Sequence, residues 1–234
     1  MKKNKLLLLS AALAALTSAP ALAEDLVIGL ATAQTGGLAP YDQPNLAGLQ
    51  LKIEEINAAG GIAGKFPIKT IIKDTRSDSA QTALVAQELV DAGAQLIITP
   101  CDADPSIAAG MITQGAGIPA ISFCATTPTL PLAVGDYMFS NYPADNVQAT
   151  MLATHAIEAG YKTAYILTSP DTAYTLKLPQ YFGQVFAAKG GSVLGEGTFT
   201  MGQQDFGAEV TKIAAMDPKP DVIMTSAYEP DFPA

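Results

Sequence analysis

Leu26-Val27-Ile28-Gly29-Leu30 is an unbroken apolar run without polar alternation, the pattern of a strand buried on both faces. A polar loop from Thr32 to Asn45 follows, and then Leu46, Leu49, Ile53 and Ile56, spaced to share one face of a helix. Ala59-Gly60-Gly61 ends that helix, because glycine takes the left-handed conformation without steric penalty. A second strand is read at Ile68–Lys73. Strand, helix and strand of these lengths form a parallel βαβ unit, and the fold class is α/β.

The same rhythm extends outward. Asp78, three residues ahead of Gln81, caps a helix that buries Val85, Leu89 and Ala92. Leu96–Thr99 is a strand, Ser106–Gly115 a helix and Ile118–Ser122 a strand. A short aromatic strand at Asp136–Pro143 interrupts the pattern. It resumes with a helix from Asn146 to Ala159, a strand at Thr163–Leu167 and a helix carrying Tyr181, Phe182, Val185 and Phe186. A strand at Ser192–Phe199, a helix with Val210 and Ile213, and a strand at Asp221–Thr225 complete it. Ala187-Ala188-Lys189-Gly190-Gly191 echoes Asn57-Ala58-Ala59-Gly60-Gly61, each ending the helix after its half's first strand. Two α/β lobes with parallel, doubly wound sheets are expected, residues 24–142 and 143–234. Phe232-Pro233-Ala234 comes directly after a strand of the second lobe, so the reading expects a truncated C-terminus and an incomplete lobe.

Ahead of the first strand, Lys2, Lys3 and Lys5 precede an apolar run from Leu6 to Leu16, then Pro20 and Ala21-Leu22-Ala23. This is the order of a secretory signal peptide, with cleavage expected after Ala23. The run is too short to cross about 30 Å of hydrocarbon as an anchor, and no lipobox cysteine stands at the junction. An exported, periplasmic protein is expected. The 234 residues carry 13 Lys+Arg against 22 Asp+Glu, for a net charge of −9; without the three leader lysines the balance is 10 against 22. Arg76 is the single arginine, and no basic cluster exists to release phosphate counterions, so nucleic-acid partners are excluded.

In open parallel sheets, ligands sit at the carboxyl ends of the strands. Those ends are Thr32–Asp42, Asp74–Asp78, Thr99–Asp104, Phe123–Thr129, Thr168–Tyr174 and Ser226–Asp231, all rich in hydroxyls and carboxylates. In Pro100-Cys101-Asp102-Ala103-Asp104-Pro105, Asp104 reads as the helix cap, which leaves Asp102 without a structural task. In the loop from Ser122 to Pro128, Thr127 reads as the cap and Thr126 is left free. Asp102 and Thr126 are therefore either ligand contacts or solvated loop residues. Tyr174 falls in the first turn of a helix at the cleft, and Tyr41 in the first long loop. Cys101 and Cys124 end consecutive strands and are read either as a disulfide or as two buried thiols. Their spacing matches no metal signature, and no cofactor motif follows the first strand. There is no nucleophile elbow or zinc-protease motif, and His155, the single histidine, sits mid-helix away from every loop. The chain is not expected to be an enzyme. A secreted hydrolase using cleft carboxylates stands as the weaker alternative.

Leu26–Leu30, Thr35-Gly36, the run Glu54-Glu55-Ile56-Asn57-Ala58-Ala59-Gly60-Gly61-Ile62-Ala63-Gly64-Lys65 and Asp74 with Asp78 carry a family pattern. Gly117-Ile118-Pro119-Ala120-Ile121-Ser122, Ala125-Thr126 and Asp171-Thr172-Ala173-Tyr174 continue it. From about residue 25 onward, the chain resembles the periplasmic substrate-binding proteins of branched-chain amino-acid ABC transporters, the Leu/Ile/Val-binding type. The resemblance implies a monomeric, two-lobed type I binding protein that closes on a small amino acid or amide-like ligand and delivers it to an ABC permease. A sensory receptor of the same fold is the alternative. It implies ligand contacts from Thr126, from backbone at Cys124 and Ala125, and from Tyr41, Tyr174 and Tyr228. At Asp102 the chain departs from the family, whose serine there holds the ligand carboxylate. An aspartate would repel a carboxylate and accept instead from an ammonium, amide or hydroxyl.

Overall fold

The computed structural model describes residues 25–229 and 231. The signal-peptide reading and the terminal Phe232-Pro233-Ala234 lie outside the described residues. Strand β1 (Leu26–Thr32) is the centre of the first sheet: Leu30 pairs with Ile72 of β2 (Ile68–Asp74) on one side and Ile98 of β3 (Leu96–Thr99) on the other. With β4 (Ala120–Ser122) and β5 (Met138–Ser140), the order is β2-β1-β3-β4-β5, and every pairing is parallel.

Helices cover both faces of this sheet. Successive side chains of β1 point to opposite faces. Ile28 and Leu30 pack with Leu46 and Ile53 of α1 (Ala39–Ala58), whereas Ala31 packs with Val85 and Leu89 of α2 (Ser79–Asp91). Gly29 makes room for α2, since a Cβ there would lie 3.1 Å from the Leu89 Cβ. Asp78 caps α2 by accepting from the Gln81 amide. The Glu54–Gly61 run has two local tasks. Asn57 bonds both the amide and the carbonyl of Ile68 at 2.8 Å, pinning the end of α1 to the start of β2. Gly61, at φ +85°, passes so close to the Phe66 carbonyl that no side chain fits.

Three expectations are corrected in this half. The second half of the loop assigned to residues 32–45 is helix: α1 starts at Ala39, with Pro40 in its first turn and Pro44 inside it. Two prolines read as turn signals, but Pro40 fills a position whose N–H has no intrahelical partner. Helix α3 (Ala103–Ala116) is capped by Asp102 and not by Asp104. A short helix, α4 (Leu130–Val134), precedes β5; Thr127 does not cap it and instead pairs its hydroxyl with that of Thr129 at 2.9 Å.

The second sheet has the order β7-β6-β8, from β6 (Thr163–Thr168), β7 (Ser192–Thr198) and β8 (Val222–Met224), again parallel. Its core interlocks small residues with large ones. Ala149 and Ala153 of α5 (Asp145–Glu158) make space for Phe182 and Phe186 of α6 (Ala173–Ala188), whose rings stack at 5.4 Å. Helix α7 (Gly207–Ala214) buries no residue, and Val210 and Ile223 stand exposed. Among the described residues no helix is long and apolar enough to cross a membrane.

Candidate functional site

The strand orders place two crevices. In the first sheet the order reverses between β1 and β3, and in the second between β6 and β8. Loops diverge at such points and leave a cleft at the carboxyl ends of the strands. The loops after β1, β3 and β4 meet those after β6 and β8 around one cavity of about 250 Å³. Tyr41, Asp102, Cys124, Thr126, Tyr174 and Tyr228 all line it, although they come from five separate segments. Ala125 does not line it. Its amide donates to Ser122 Oγ at 2.8 Å, so the backbone group expected there is already engaged.

The first-sheet wall is held by buried polar struts. Asp42, fully buried, accepts from the Ala33 amide at 2.6 Å and the Cys101 amide at 2.8 Å, tying the loop after β1 to the loop after β3. Burial pushes its carboxyl up to about 6, against the pull of those two amides and with a further push from Asp102. Ser106 and Ser122 both donate to the Pro100 carbonyl at 2.7 Å, which fixes the turn that carries Cys101 and Asp102. A disulfide joins Cys101 to Cys124 and ties the loops after β3 and β4.

Asp102 has two tasks. As the α3 cap, its Oδ1 accepts from the Asp104 amide at 3.2 Å, and its Oδ2 accepts from the Tyr228 hydroxyl at 2.5 Å, across the cleft. Sequence reasoning assigned the cap to Asp104 because Asp-Pro is a common helix start. The cap two residues earlier lets α3 begin at Ala103. Asp102 is 3 % exposed, and burial raises its pKa although the Tyr228 hydroxyl pulls it back. Burial and then the Asp102 charge hold the Tyr228 phenol far above its ordinary range, so it stays a donor.

Tyrosines form a further part of the wall. Tyr228 lies 5.1 Å from the Tyr41 ring and stacks on Tyr174 at 5.6 Å and 6°. The Tyr41 hydroxyl accepts from the Glu229 amide at 2.7 Å, a second bond across the cleft. Burial, and then the charge of Asp145, raises the Tyr174 phenol.

Three polar residues at the cavity escaped the sequence reading: Tyr142 and Gln148 in its lining, and Asp145 beside it. Asp145 opens α5, and its amide donates to the Thr126 carbonyl at 2.7 Å. It is 1 % exposed, and no donor among the described residues meets either carboxylate oxygen at full hydrogen-bond geometry, although the Thr126 hydroxyl lies near enough to stabilise its charge. Burial raises its pKa; the nearby Thr126 hydroxyl offsets part of the rise and Asp102 adds to it. An acidic residue just after Pro143, at a helix start, was the available signal, but it reads first as a favourable charge at a helix N-terminus.

The periplasmic binding protein family pattern matches residues 25–234. The chain belongs to that family. Within it, the chain is similar to the Leu/Ile/Val-binding protein BraC3 of Rhizobium johnstonii, at 25 % identity over 93 % of this chain and 59 % of the relative. An amino acid binding protein of Pseudomonas aeruginosa is 30 % identical over 82 % of this chain and 51 % of the relative. Among solved structures, the branched-chain amino acid transporter substrate binding protein LivJ from Streptococcus pneumoniae, in complex with isoleucine, superposes with a TM-score of 0.76. That match has 30 % identity and covers 85 % of this chain and 56 % of the other. This periplasmic binding protein chain thus spans between half and three-fifths of the length of these relatives, and its α/β fold with parallel sheets is the type I fold of the family.

Proposed function

We propose that this chain is part of an extracytoplasmic solute receptor. It would take a small amino acid or amide-like compound between two lobes, residues 24–142 and 143–234, and deliver it to an ABC permease. The observation that carries the reading is a cavity at the carboxyl ends of both sheets, lined from both sides by hydroxyls, tyrosines and a carboxylate. Relatives named for binding leucine, isoleucine and valine, and a similar structure holding isoleucine, support a ligand of that size. The proposed contacts are Tyr41, Asp102, Thr126, Tyr174 and Tyr228, with Cys124 shaping the wall. The Lys2–Ala23 segment supports export with cleavage after Ala23, and a monomer that binds without turnover is expected.

Native mass spectrometry of the protein recovered from the periplasm tests this reading. A polypeptide that begins at Glu24 and retains a small molecule released on denaturation is the expected result. Protein confined to the cytoplasm, or recovered without ligand and inert toward solute panels, would overturn it.

A further inference from the structure

The disulfide between Cys101 and Cys124 stands in the wall of the cleft and not behind it, for both cysteines line the cavity of about 250 Å³. Nor is it the sole tie between its two loops. Their bases are paired strands, with Thr99 of β3 opposite Ser122 of β4, and Ser106 and Ser122 fix the Pro100 turn. The S–S bond can therefore open while strand pairing keeps the two sulfurs close.

The two sulfurs are not equivalent. Cys101 is 8 % exposed, whereas Cys124 is half-buried. Cys101 Sγ accepts from Asn45 Nδ2 at 3.4 Å, and the Tyr41 carbonyl stands 3.9 Å from it. The polar contact of Cys124 Sγ among the described residues is the Cys101 carbonyl at 3.9 Å. An amide donor stabilises a thiolate as it leaves, and a carbonyl, which only accepts, does not. Access and leaving-group stability both decide which sulfur is attacked, and both select Cys124 for attack and Cys101 for departure.

We propose that this disulfide is a covalent capture site for a small thiol that enters the cavity and forms a mixed disulfide on Cys124. The inference goes beyond the receptor reading and stands without it. The entering thiol gives its proton to solvent, and its sulfur bonds to Cys124 Sγ as the bond to Cys101 breaks. Cys101 leaves with the electron pair of that bond, steadied by Asn45, and takes up a proton. Asp42 and Asp102 flank Cys101, so it ends as the neutral thiol, and the Tyr41 carbonyl is placed to accept from it. One disulfide replaces another, so the exchange needs no oxidant or reductant besides the thiol itself. The captured group fills space that a solute would occupy. Cys101 remains beside it to attack the mixed disulfide and expel the thiol again.

The test exposes the full-length oxidised protein to 2-mercaptoethanol or to a methoxy-polyethylene-glycol thiol, equally neutral and too large for the cavity. Samples are quenched with acid, alkylated with iodoacetamide, weighed intact and mapped by peptide. With 2-mercaptoethanol the protein should gain the whole mass of one thiol at Cys124, leaving Cys101 as the alkylated thiol. The large thiol should react about tenfold or more slowly, since the cavity excludes it. Asn45→Ala removes the donor to the leaving sulfur and should raise the fraction of adduct on Cys101 about threefold or more. A purely structural role for Asn45 would leave that partition unchanged. Adduct mainly on Cys101, equal rates for the two thiols, an unchanged partition in Asn45→Ala, or passage to two free thiols without an adduct overturns the proposal. Because the probe attaches covalently, none of these outcomes depends on the identity of a transported solute, and each leaves the receptor reading standing.

Discussion

Tyr228→Phe isolates the contact that ties the two sheets across the cleft. The substitution keeps the ring packed against Tyr41 at 5.1 Å and Tyr174 at 5.6 Å and removes only the hydroxyl that donates to Asp102 Oδ2 at 2.5 Å. Asp102 is 3 % exposed, and the Asp104 amide serves its other oxygen, so Oδ2 loses its partner in a dry environment. A hydrogen bond to a charged group contributes about 1.5–3 kcal/mol. The closed arrangement should therefore lose about 10- to 150-fold in population relative to open ones. Protonation limits the loss: burial already raises Asp102 and the hydroxyl holds it down, so without Tyr228 the carboxyl neutralises more readily. Spin labels at the exposed Leu84 and Val210 would report the separation of the two sheets. Amide exchange at Glu229, which donates to the Tyr41 hydroxyl, would report the same opening residue by residue. Tyr41→Phe, which removes a neutral acceptor, should give a smaller change, about fivefold. If distances and Glu229 exchange in Tyr228→Phe match the unsubstituted protein, the bond across the cleft contributes nothing and the reasoning fails.

Thr126→Ala should weaken ligand binding by about 1–3 kcal/mol, because it leaves a polar partner in the cavity unpaired; unchanged affinity in calorimetry removes Thr126 from the site. Replacing both Cys101 and Cys124 by Ala opens a loop of 23 residues' separation and should cost about 3 kcal/mol, roughly 6–12 °C in thermal midpoint. A midpoint shift under about 2 °C would mean that the struts through Pro100 hold these loops unaided. Asp42 sets a pH dependence. Its folded-state value of about 6 lies above the unfolded one, so the folded protein binds this proton more tightly. From this group, stability should fall by about 3 kcal/mol as pH rises from about 4 to 6, and the loss is absent below that window. Asp74 and Asp221, both held below the ordinary range, act in the opposite direction, so the contrast is read against Asp42→Asn. That variant should be less stable, with one backbone donor unserved, and should lack the Asp42 component; parallel pH curves for the two proteins would refute it.

The strands were legible because parallel strands covered on both faces carry continuous apolar runs. Leu26–Thr32 and Leu96–Thr99 need no tertiary knowledge to be seen. The same holds for Asp78 as a cap and for the turn glycines, whose chemistry is local. The start of α1 was not legible, because Pro40 and Pro44 signal a turn in isolation. The helix holds because Leu46 and Ile53 bury their side chains against β1 and β2, which propensity over a short window does not register.

The site divides along the same line. Residue type and position at strand ends were enough to single out Tyr41, Asp102, Thr126 and Tyr174, since the carboxyl edge of a parallel sheet is readable from the order of its elements. Which of two neighbouring aspartates caps α3 was not, because both offer an equivalent acceptor and only the path of the Pro100 turn selects Asp102. The bond from Tyr228 to Asp102 links residues 126 apart, and the burial of Asp145 depends on the separate segments that carry Thr126, Asp102 and Tyr174. Local chemistry is written in a sequence of nearest neighbours. The cost of leaving a carboxylate unpaired depends on which distant surfaces exclude water from it, and that is decided only when the sheets come together.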